Sequence, residues 1–267
     1  MSLIYEKRNA IAYLTLNRPE AHNALAPETM LELLDAWKDY RDDKDMRCAI
    51  ITGAGDKSFC AGADLGLLIP LFTGAREPEN EAELKIRDNP MISMQAILRD
   101  FDLHKPVVAA VNGNAIAGGM ELLYATDIRV AAERARFGLQ EVKWGVFPMG
   151  GSSVKLPRQL PYARAMEMLL TGELMDAADA LHFGLVNRVV PNNKVMEESE
   201  RFAGIIAKNG PLAVKAVKQA VTAGIGLDLK RGLAKEMELA MPVFMSKDAQ
   251  EGPRAFKEKR SPVFKGE

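Results

Sequence analysis

Short apolar runs alternate with amphipathic stretches over the first two thirds of the chain. Residues 27–43 begin with Pro27, which favours a helix start, and then repeat apolar side chains at helical spacing. Four runs are rich in β-branched residues and are bounded by Gly, Pro, Asn or Asp, as is typical of buried strands: residues 11–17, 48–53, 106–113 and 127–132, with 185–190 as a weaker fifth run. This alternation predicts an α/β fold whose strands are mostly buried.

From about residue 193 the pattern changes to helices alone. Four amphipathic segments follow one another without a strand between them: residues 193–209, 211–224, 228–245 and 248–260. We therefore expect an α/β core at 1–192 and a helical C-terminal region at 193–267. Met and Leu stripes in that region predict a packing surface, either within the chain or on another subunit.

The stretch at residues 65–94 has a mixed character. It starts apolar, becomes charged around Pro78 and Pro90, and then returns to helical spacing. Long irregular segments inside a domain are usually functional lids or mobile loops. We expect one of these two roles here.

Composition narrows the classes of protein that need to be considered. The chain has 267 residues, is 48% hydrophobic and carries a formal net charge of −1, which argues against a surface that binds nucleic acid. Cys48 and Cys60 lie in or beside apolar runs, and this favours buried free thiols in a reducing compartment. Neither an apolar signal region nor a run of membrane-spanning length is visible, so we expect a cytoplasmic protein without membrane contact.

Two turns rich in small residues each follow a predicted strand, at residues 57–65 and 112–122. Small residues allow close approach to a ligand, and a turn that opens a helix presents free N–H groups. Two such turns facing each other would form an oxyanion hole, which stabilises an enolate or a tetrahedral intermediate. The alternative is that the small residues only allow tight packing between strand and helix.

Glu121 and Glu141 each lie among glycines and apolar residues, within 115–127 and 136–151. Partial desolvation raises the pKa of a carboxylic acid towards neutrality. Two such groups in one water-poor pocket can act as proton donor and proton acceptor. That chemistry adds or removes water, or moves a proton along a carbon chain.

Several segments together resemble the crotonase (enoyl-CoA hydratase/isomerase) superfamily, over about residues 4 to 264. The segments that carry the resemblance are NRPEAHNAL (17–25), FCAGADL (59–65), KPVVAAVNGNAIAGGMELLYATDIRVA (105–131), FGLQEVKWGVFPMGG (137–151) and EGPRAFKEKR (251–260). Each one is weak evidence, but their order and spacing are highly specific. The resemblance implies a crotonase-like spiral of ββα units with a helical C-terminal trimerisation region. It also implies a homotrimer or homohexamer.

The resemblance further implies an acyl-CoA thioester substrate and a set of catalytic groups. The backbone N–H groups of Ala63 and Gly118 match the two donors to the thioester oxygen. Glu121 and Glu141 match the two catalytic carboxylates of the hydratases, and the presence of both favours hydration or dehydration. In the implied syn addition, Glu121 activates water and Glu141 delivers the proton, although these roles could be shared or reversed. No metal or redox cofactor is implied, because coenzyme A is part of the substrate.

Other positions are similar to the family's binding residues. The residues that match the CoA-contacting backbone are Ala24, Ala61, Asp64 and Leu65. Phe256 and Lys259 match residues that touch the nucleotide end of CoA, although Lys259 could also be an ordinary solvated charge. We expect His22 to lie on the surface, and we assign no role to His104 or His182.

Four residues depart from the best-known hydratases: Gln140, Trp144, Phe147 and Met120. Trp144 could simply pack in the core. Alternatively, Trp144 and Phe147 shape the acyl pocket together with residues 66–90. These departures leave the acyl preference open, so a short straight-chain substrate is not assumed.

Other functions remain to be weighed against hydration. Within the family, the alternatives are a Δ3,Δ2-enoyl-CoA isomerase and a dehydratase for a branched, cyclic or carnitine-like acyl group. RNA binding would need a basic face, and residues 215–221 with the basic tail are too few. A serine hydrolase is disfavoured because GGSSV (150–154) lacks the Gly-x-Ser-x-Gly elbow, and no nucleotide-binding P-loop motif is present.

Overall fold

Ten strands form two sheets in the computed structural model, which describes all residues 1–267. The strands are β1 (Leu3–Arg8), β2 (Ile11–Leu16), β3 (Cys48–Gly53), β4 (Ser58–Cys60), β5 (Val107–Val111), β6 (Asn114–Ile116), β7 (Ile128–Ala132), β8 (Arg136–Gly138), β9 (Met175–Asp176) and β10 (Arg188–Val190). The larger sheet has the order β1-β2-β3-β5-β7-β10, and the smaller has the order β4-β6-β8-β9.

Twelve helices surround these sheets. They are α1 (Pro27–Asp42), α2 (Ile69–Thr73), α3 (Glu81–Asp88), α4 (Met91–Ala96), α5 (Gly118–Tyr124), α6 (Ser152–Gln159), α7 (Tyr162–Thr171), α8 (Ala177–His182), α9 (Val195–Lys208), α10 (Pro211–Gly224), α11 (Leu229–Phe244) and α12 (Lys247–Lys257). Short 3-10 turns occur at Pro19–Ala21, Glu141–Trp144 and Asn192–Lys194. None of the helices has the length and apolar character needed to cross a membrane.

The larger sheet confirms the strands that the apolar runs predicted. Except for the antiparallel pair of β1 and β2, its neighbouring strands run parallel. Every residue of β3 and β5 is buried, which explains why these strands are continuously apolar rather than alternating. The weaker run at 185–190 forms a strand only over its last three residues, in β10.

The smaller sheet positions the two turns that are rich in small residues. Its strands β4, β6 and β8 follow β3, β5 and β7 along the chain, and these three short strands pair in parallel. Helix α5 follows β6, so a strand of each sheet and then a helix form a repeating ββα unit. Because β4 and β6 are neighbours, the turns that follow them lie side by side. Sequence analysis missed this sheet, since strands of three residues carry no clear periodicity.

Helix α1 anchors the segments that lead towards the site. Its Leu33, Trp37 and Tyr40 side chains are fully buried. The Trp37 indole Nε1 donates to the backbone oxygen of Ala96 at 3.0 Å, and the Tyr40 hydroxyl donates to that of Pro106 at 2.7 Å. The predicted helix at 27–43 is therefore confirmed, and it fixes the chain on both sides of the 97–105 connection.

Residues 65–94 are not a long irregular loop, because they contain helices α2, α3 and the start of α4. The Arg76 guanidinium donates to both carboxylate oxygens of Glu83, at 2.9 and 2.8 Å. Asn80 caps α3 by accepting from the backbone N–H of Glu83. This partly buried ion pair and the helix cap are local interactions that an apolar pattern does not reveal.

The C-terminal region is helical as predicted, and its helices differ in how they are covered. Helix α9 packs against the larger sheet through Val195, Ser199 and Ala203, all of which are buried. Helices α10 and α11 pack on each other, yet neither has a buried residue. The boundary at residue 192 stays a prediction. Both Cys48 and Cys60 are buried free thiols, as predicted.

Candidate active site

The structure brings the backbone amides of Ala63 and Gly118 together. Ala63 lies just after β4 and bridges to Leu25, while Gly118 is the first residue of α5. A methyl group placed on Gly118 would lie 3.4 Å from the Ala63 nitrogen, so the two residues are in direct contact. Neither N–H donates a hydrogen bond within the chain. Two free donors side by side can bind one oxygen that develops negative charge.

The backbone around these amides is tightly constrained. Gly62 has φ +92°, and a Cβ there would lie 2.9 Å from the Gly118 nitrogen, so a side chain is excluded. Ala117 has φ +50° and ψ −122°, which is a rare conformation for a residue with a side chain. Strain of this kind tends to occur at functional sites, where the surrounding structure enforces it.

Glu121 is held by two hydrogen-bond donors in a buried position. Its side chain lies on α5 with only 6% of the residue exposed. The Glu121 Oε1 accepts from the Gly150 N–H at 2.6 Å and from the Ser152 hydroxyl at 2.9 Å. Burial raises the pKa of Glu121 above its ordinary value, while these donors lower it by stabilising the carboxylate. A Cβ at Gly150 would overlap the Glu121 carboxylate, so this contact requires glycine.

Glu141 lies in a different environment. It opens the 3-10 turn Glu141–Trp144, and its Oε2 atom is buried without a hydrogen-bond partner. Burial raises the pKa of Glu141 to about 7, and the nearby negative charge of Glu121 acts in the same direction. The two carboxyl groups therefore differ: Glu121 has donors that favour its ionised form, whereas Glu141 tends to keep its proton near neutral pH.

Three polar residues near the carboxylates were missed by the sequence analysis: Tyr124, Ser152 and Lys155. Tyr124 lies one helical turn after Glu121, and its buried hydroxyl has no hydrogen-bond partner. Burial, and then the charges of Glu121 and Glu141, raise its pKa. The spacing of Glu121 and Tyr124 on one helix was a usable signal, whereas the approach of α6 to α5 was not visible in the sequence.

The predicted acyl-pocket residues are exposed. Trp144 and Phe147 have 69% and 65% of their surface accessible, so the alternative of core packing for Trp144 is wrong. Both follow Glu141 within six residues. Their role in acyl binding stays a prediction. Gln140 precedes Glu141 and is half-buried, and Met120 is fully buried beside Glu121.

The predicted CoA-contacting backbone forms one compact structure. The Ala61 N–H donates to the His22 oxygen at 3.1 Å, which joins the 17–25 turn to the segment after β4. The Arg18 guanidinium donates to the Asp64 carboxylate at 2.9 Å and to the Ala24 backbone oxygen at 2.8 Å. The structure therefore brings Ala24, Ala61 and Asp64 together beside Ala63, with the neighbouring Leu65 largely exposed.

The remaining candidates lie on the surface or outside this cluster. Phe256 is 88% exposed on α12, and Lys259 lies two residues beyond that helix, also exposed and without an ion pair. Their contact with the nucleotide end of CoA stays a prediction. His22 is exposed, as expected, and so is His182, while His104 is half-buried.

Comparison with known proteins agrees with this arrangement. The family model for enoyl-CoA hydratase/isomerase matches residues 6–267. The chain is 42% identical over 261 residues to the enoyl-CoA hydratase EchA19 of Mycobacterium tuberculosis, which covers 98% of this chain and 95% of that protein. It is 40% identical to an (E)-benzylidenesuccinyl-CoA hydratase of Thauera aromatica over the whole of both chains.

Further similarities include a dehydratase and a solved hydratase structure. A carnitinyl-CoA dehydratase of Citrobacter koseri is 39% identical, with 99% of this chain and 98% of that protein covered. A crystal structure of an enoyl-CoA hydratase from Bacillus anthracis superposes on the whole of both chains with a TM-score of 0.89 at 36% identity. The spiral of ββα units with its helical C-terminal region is thus confirmed as the crotonase fold. On sequence, fold and site geometry, the chain belongs to the enoyl-CoA hydratase/isomerase family.

Proposed function

We propose that the chain is an enoyl-CoA hydratase, a hydro-lyase that reversibly adds water to a 2-enoyl-CoA thioester. The observation that carries this proposal is the contrast between the two carboxyl groups beside the paired amides. Glu121 accepts two hydrogen bonds, whereas the buried oxygen of Glu141 accepts none. Hydration needs one group that takes a proton and one that gives a proton, and this pair supplies both.

The thioester oxygen binds to the N–H groups of Ala63 and Gly118. As negative charge moves onto this oxygen in the enolate, the two hydrogen bonds strengthen, and the N-terminus of α5 adds its favourable dipole. These donors are already in position, so little reorganisation accompanies the reaction. The same contacts polarise the conjugated double bond and make C3 open to attack.

Water then attacks C3 while a proton is delivered to C2. The ionised Glu121 orients the water and accepts its proton as the C3–oxygen bond forms. Burial raises the pKa of Glu141 to about 7, so a large share of this group still carries its proton near neutral pH and can give it to C2. One proton has been taken and one given, so exchange with solvent resets both carboxyl groups. Because both act from one side of the substrate, the addition is syn, and the reverse sequence is dehydration.

Binding roles follow from the same geometry. We assign the backbone around Ala24, Ala61, Asp64 and Leu65 to the pantetheine portion of CoA, because it borders the Ala63 amide. Phe256 and Lys259 are proposed to contact the nucleotide end, and Trp144 and Phe147 to border the acyl group. No step needs a metal or a redox cofactor, since carboxyl groups and amides handle every charge.

The exposed apolar side chains of α10 and α11 support self-association. Those on α11 are Leu229, Leu233, Met237, Met241 and Phe244, each at least 45% exposed. Apolar clusters of this kind mark protein–protein interfaces in soluble proteins. We propose that a second and a third copy of the chain cover them, giving a homotrimer or a pair of trimers. The buried free thiols are consistent with a cytoplasmic location.

The hydratase assignment is tested by following the loss of the conjugated thioester absorbance of crotonyl-CoA. Replacing either carboxyl group, in Glu121→Gln or Glu141→Gln, is expected to lower turnover by about 10²- to 10⁴-fold, the usual contribution of a general acid or base. Glu133→Gln is the matched control, because Glu133 is an exposed glutamate between β7 and β8. Turnover of Glu121→Gln equal to the wild type would contradict the proposal. Formation of a 3-enoyl-CoA instead of a hydroxyacyl-CoA would identify an isomerase.

A further inference from the structure

A cavity of about 460 Å³ lies beside the C-terminal end of α5, the helix that carries Glu121. Its walls come from four parts of the chain: the connection at 98–104, the end of α5 with residues 125–129, helix α6 and helix α10. The proposed mechanism uses none of its polar side chains. Its size is within the range of small-molecule sites.

The cavity shares residues with the catalytic region. Tyr124 forms part of its wall, and the buried, unpartnered Tyr124 hydroxyl lies close enough to both carboxylates to be influenced by their charge. Lys155 forms another part, and its aliphatic stem packs beside Gly151, where a Cβ would lie 3.4 Å from the Lys155 Cε. Gly151 directly follows the glycine whose N–H binds Glu121. The cavity therefore adjoins the region of the two catalytic carboxyl groups.

The lining carries an excess of positive charge. Its cations are Arg99, Arg129, Lys155, Arg158 and Lys218, and its carboxylates are Asp102 and Asp127. The Lys218 ammonium pairs with Asp127 at 2.8 Å. The Arg129 guanidinium is occupied by backbone oxygens, among them that of Leu185 at 3.0 Å. These two cations are therefore already satisfied within the chain.

Lys155 is different, because it has no partner. It is half-buried and forms neither an ion pair nor a hydrogen bond within the chain. Burial lowers its pKa, and nearby carboxylates oppose that shift only in part. Arg158, one turn further along α6, also lacks a carboxylate partner and donates only to the backbone oxygen of Val154. A partly desolvated cation that no carboxylate contacts directly is stabilised when an anion pairs with it.

We propose that this cavity receives the far end of the acyl group and that Lys155 there pairs with a carboxylate. The preferred substrates are 2-enoyl-CoA thioesters whose acyl chain ends in a second carboxylate, that is, monothioesters of unsaturated dicarboxylic acids. This inference rests on the proposed hydratase activity. A neutral acyl chain in the same place would leave the Lys155 ammonium desolvated and unpaired, and this penalty discriminates between the two classes.

Matched pairs of substrates that differ only in the terminal group test this specificity. Crotonyl-CoA is compared with glutaconyl-CoA, and hex-2-enoyl-CoA with the monothioester of hex-2-enedioic acid. We expect kcat/KM to be about tenfold or more higher for the dicarboxylic member of each pair. Lys155→Met keeps the apolar stem and removes the charge, so it should abolish this ratio. Lys44→Met, at an exposed lysine after α1, is the control.

The outcomes separate the possible roles of Lys155. Equal losses for both members of a pair would show that the ammonium acts on a feature that both substrates share, and would overturn the inference. A wild-type ratio at or below one would overturn it as well.

Binding of unreactive saturated thioesters gives a readout that does not depend on turnover. Calorimetry with glutaryl-CoA and pentanoyl-CoA should show tighter binding of glutaryl-CoA to the wild type and no such preference in Lys155→Met. If this preference is present but no enoyl-CoA is hydrated, the carboxylate site stands and the hydratase proposal fails. If hydration occurs without any preference for a carboxylate, the hydratase proposal stands and the inference fails.

Discussion

Ser152 is the sharpest single test of how the two carboxyl groups are differentiated. Its hydroxyl donates to the Glu121 Oε1 at 2.9 Å, and the residue is completely buried. In Ser152→Ala this hydroxyl donor is lost, whereas the Gly150 N–H, at 2.6 Å, remains as a donor to the same oxygen. Removing a donor from a carboxylate destabilises its ionised form. The pKa of Glu121 must therefore rise further above its ordinary value.

The size of this shift follows from the strength of the lost bond. A hydrogen bond to a charged group contributes about 1.5–3 kcal/mol. One pKa unit corresponds to about 1.4 kcal/mol, so complete loss of this bond would raise the pKa by about one to two units. Because relaxation of the site compensates in part, we expect a rise of about one unit.

The assay is the pH dependence of kcat/KM for hydration. Activity needs ionised Glu121, so the acidic limb should move to higher pH in Ser152→Ala, and the pH range of activity should become narrower. Ser153→Ala is the matched control, because Ser153 is the exposed neighbour on the same helix. An acidic limb that stays in place or moves to lower pH, in a variant that unfolds at the wild-type temperature, would refute the reasoning.

Three further predictions address the rest of the structure. The pKa of Glu141 is about 7 in the folded protein, above its ordinary value of 4.5, so folding favours the protonated carboxyl group. Its contribution to the free energy of unfolding is therefore complete below about pH 4.5 and is lost as the pH rises through about 7. Urea denaturation of the wild type should show that the free energy of unfolding falls over this pH range. In Glu141→Gln the fall should be smaller. Ala117→Gly should raise the free energy of unfolding by about 1 kcal/mol in urea titrations, because glycine adopts φ +50° without strain. A decrease in the free energy of unfolding would show that Ala117 is unstrained. Leu233→Glu should lower the mass measured by light scattering to that of a monomer, and an unchanged mass would place the subunit interface elsewhere.

Sequence reasoning was most successful where local pattern and tertiary role coincide. The fully buried strands β3 and β5 had to be continuously apolar, so they were visible as runs. Glu121 and Glu141 were visible because a carboxylate among glycines and apolar residues is unusual. The segment at 65–94 was misjudged as irregular, because its helices are short and interactions such as the ion pair of Arg76 with Glu83 leave no periodic pattern. Trp144 showed that a large apolar side chain does not by itself indicate a core position.

The sequence alone determined the alternation of strands and helices, the family and the two acidic residues, because periodicity and motif order are properties of the linear chain. Only the tertiary structure decided which groups meet. Gly150 and Ser152 follow Glu121 by 29 and 31 positions in the chain, yet both donate a hydrogen bond to its carboxylate. The cationic cavity around Lys155 is assembled from four distant segments. Solvation, hydrogen bonding and charge act through space, so the difference between the two carboxyl groups arises only once the chain has folded.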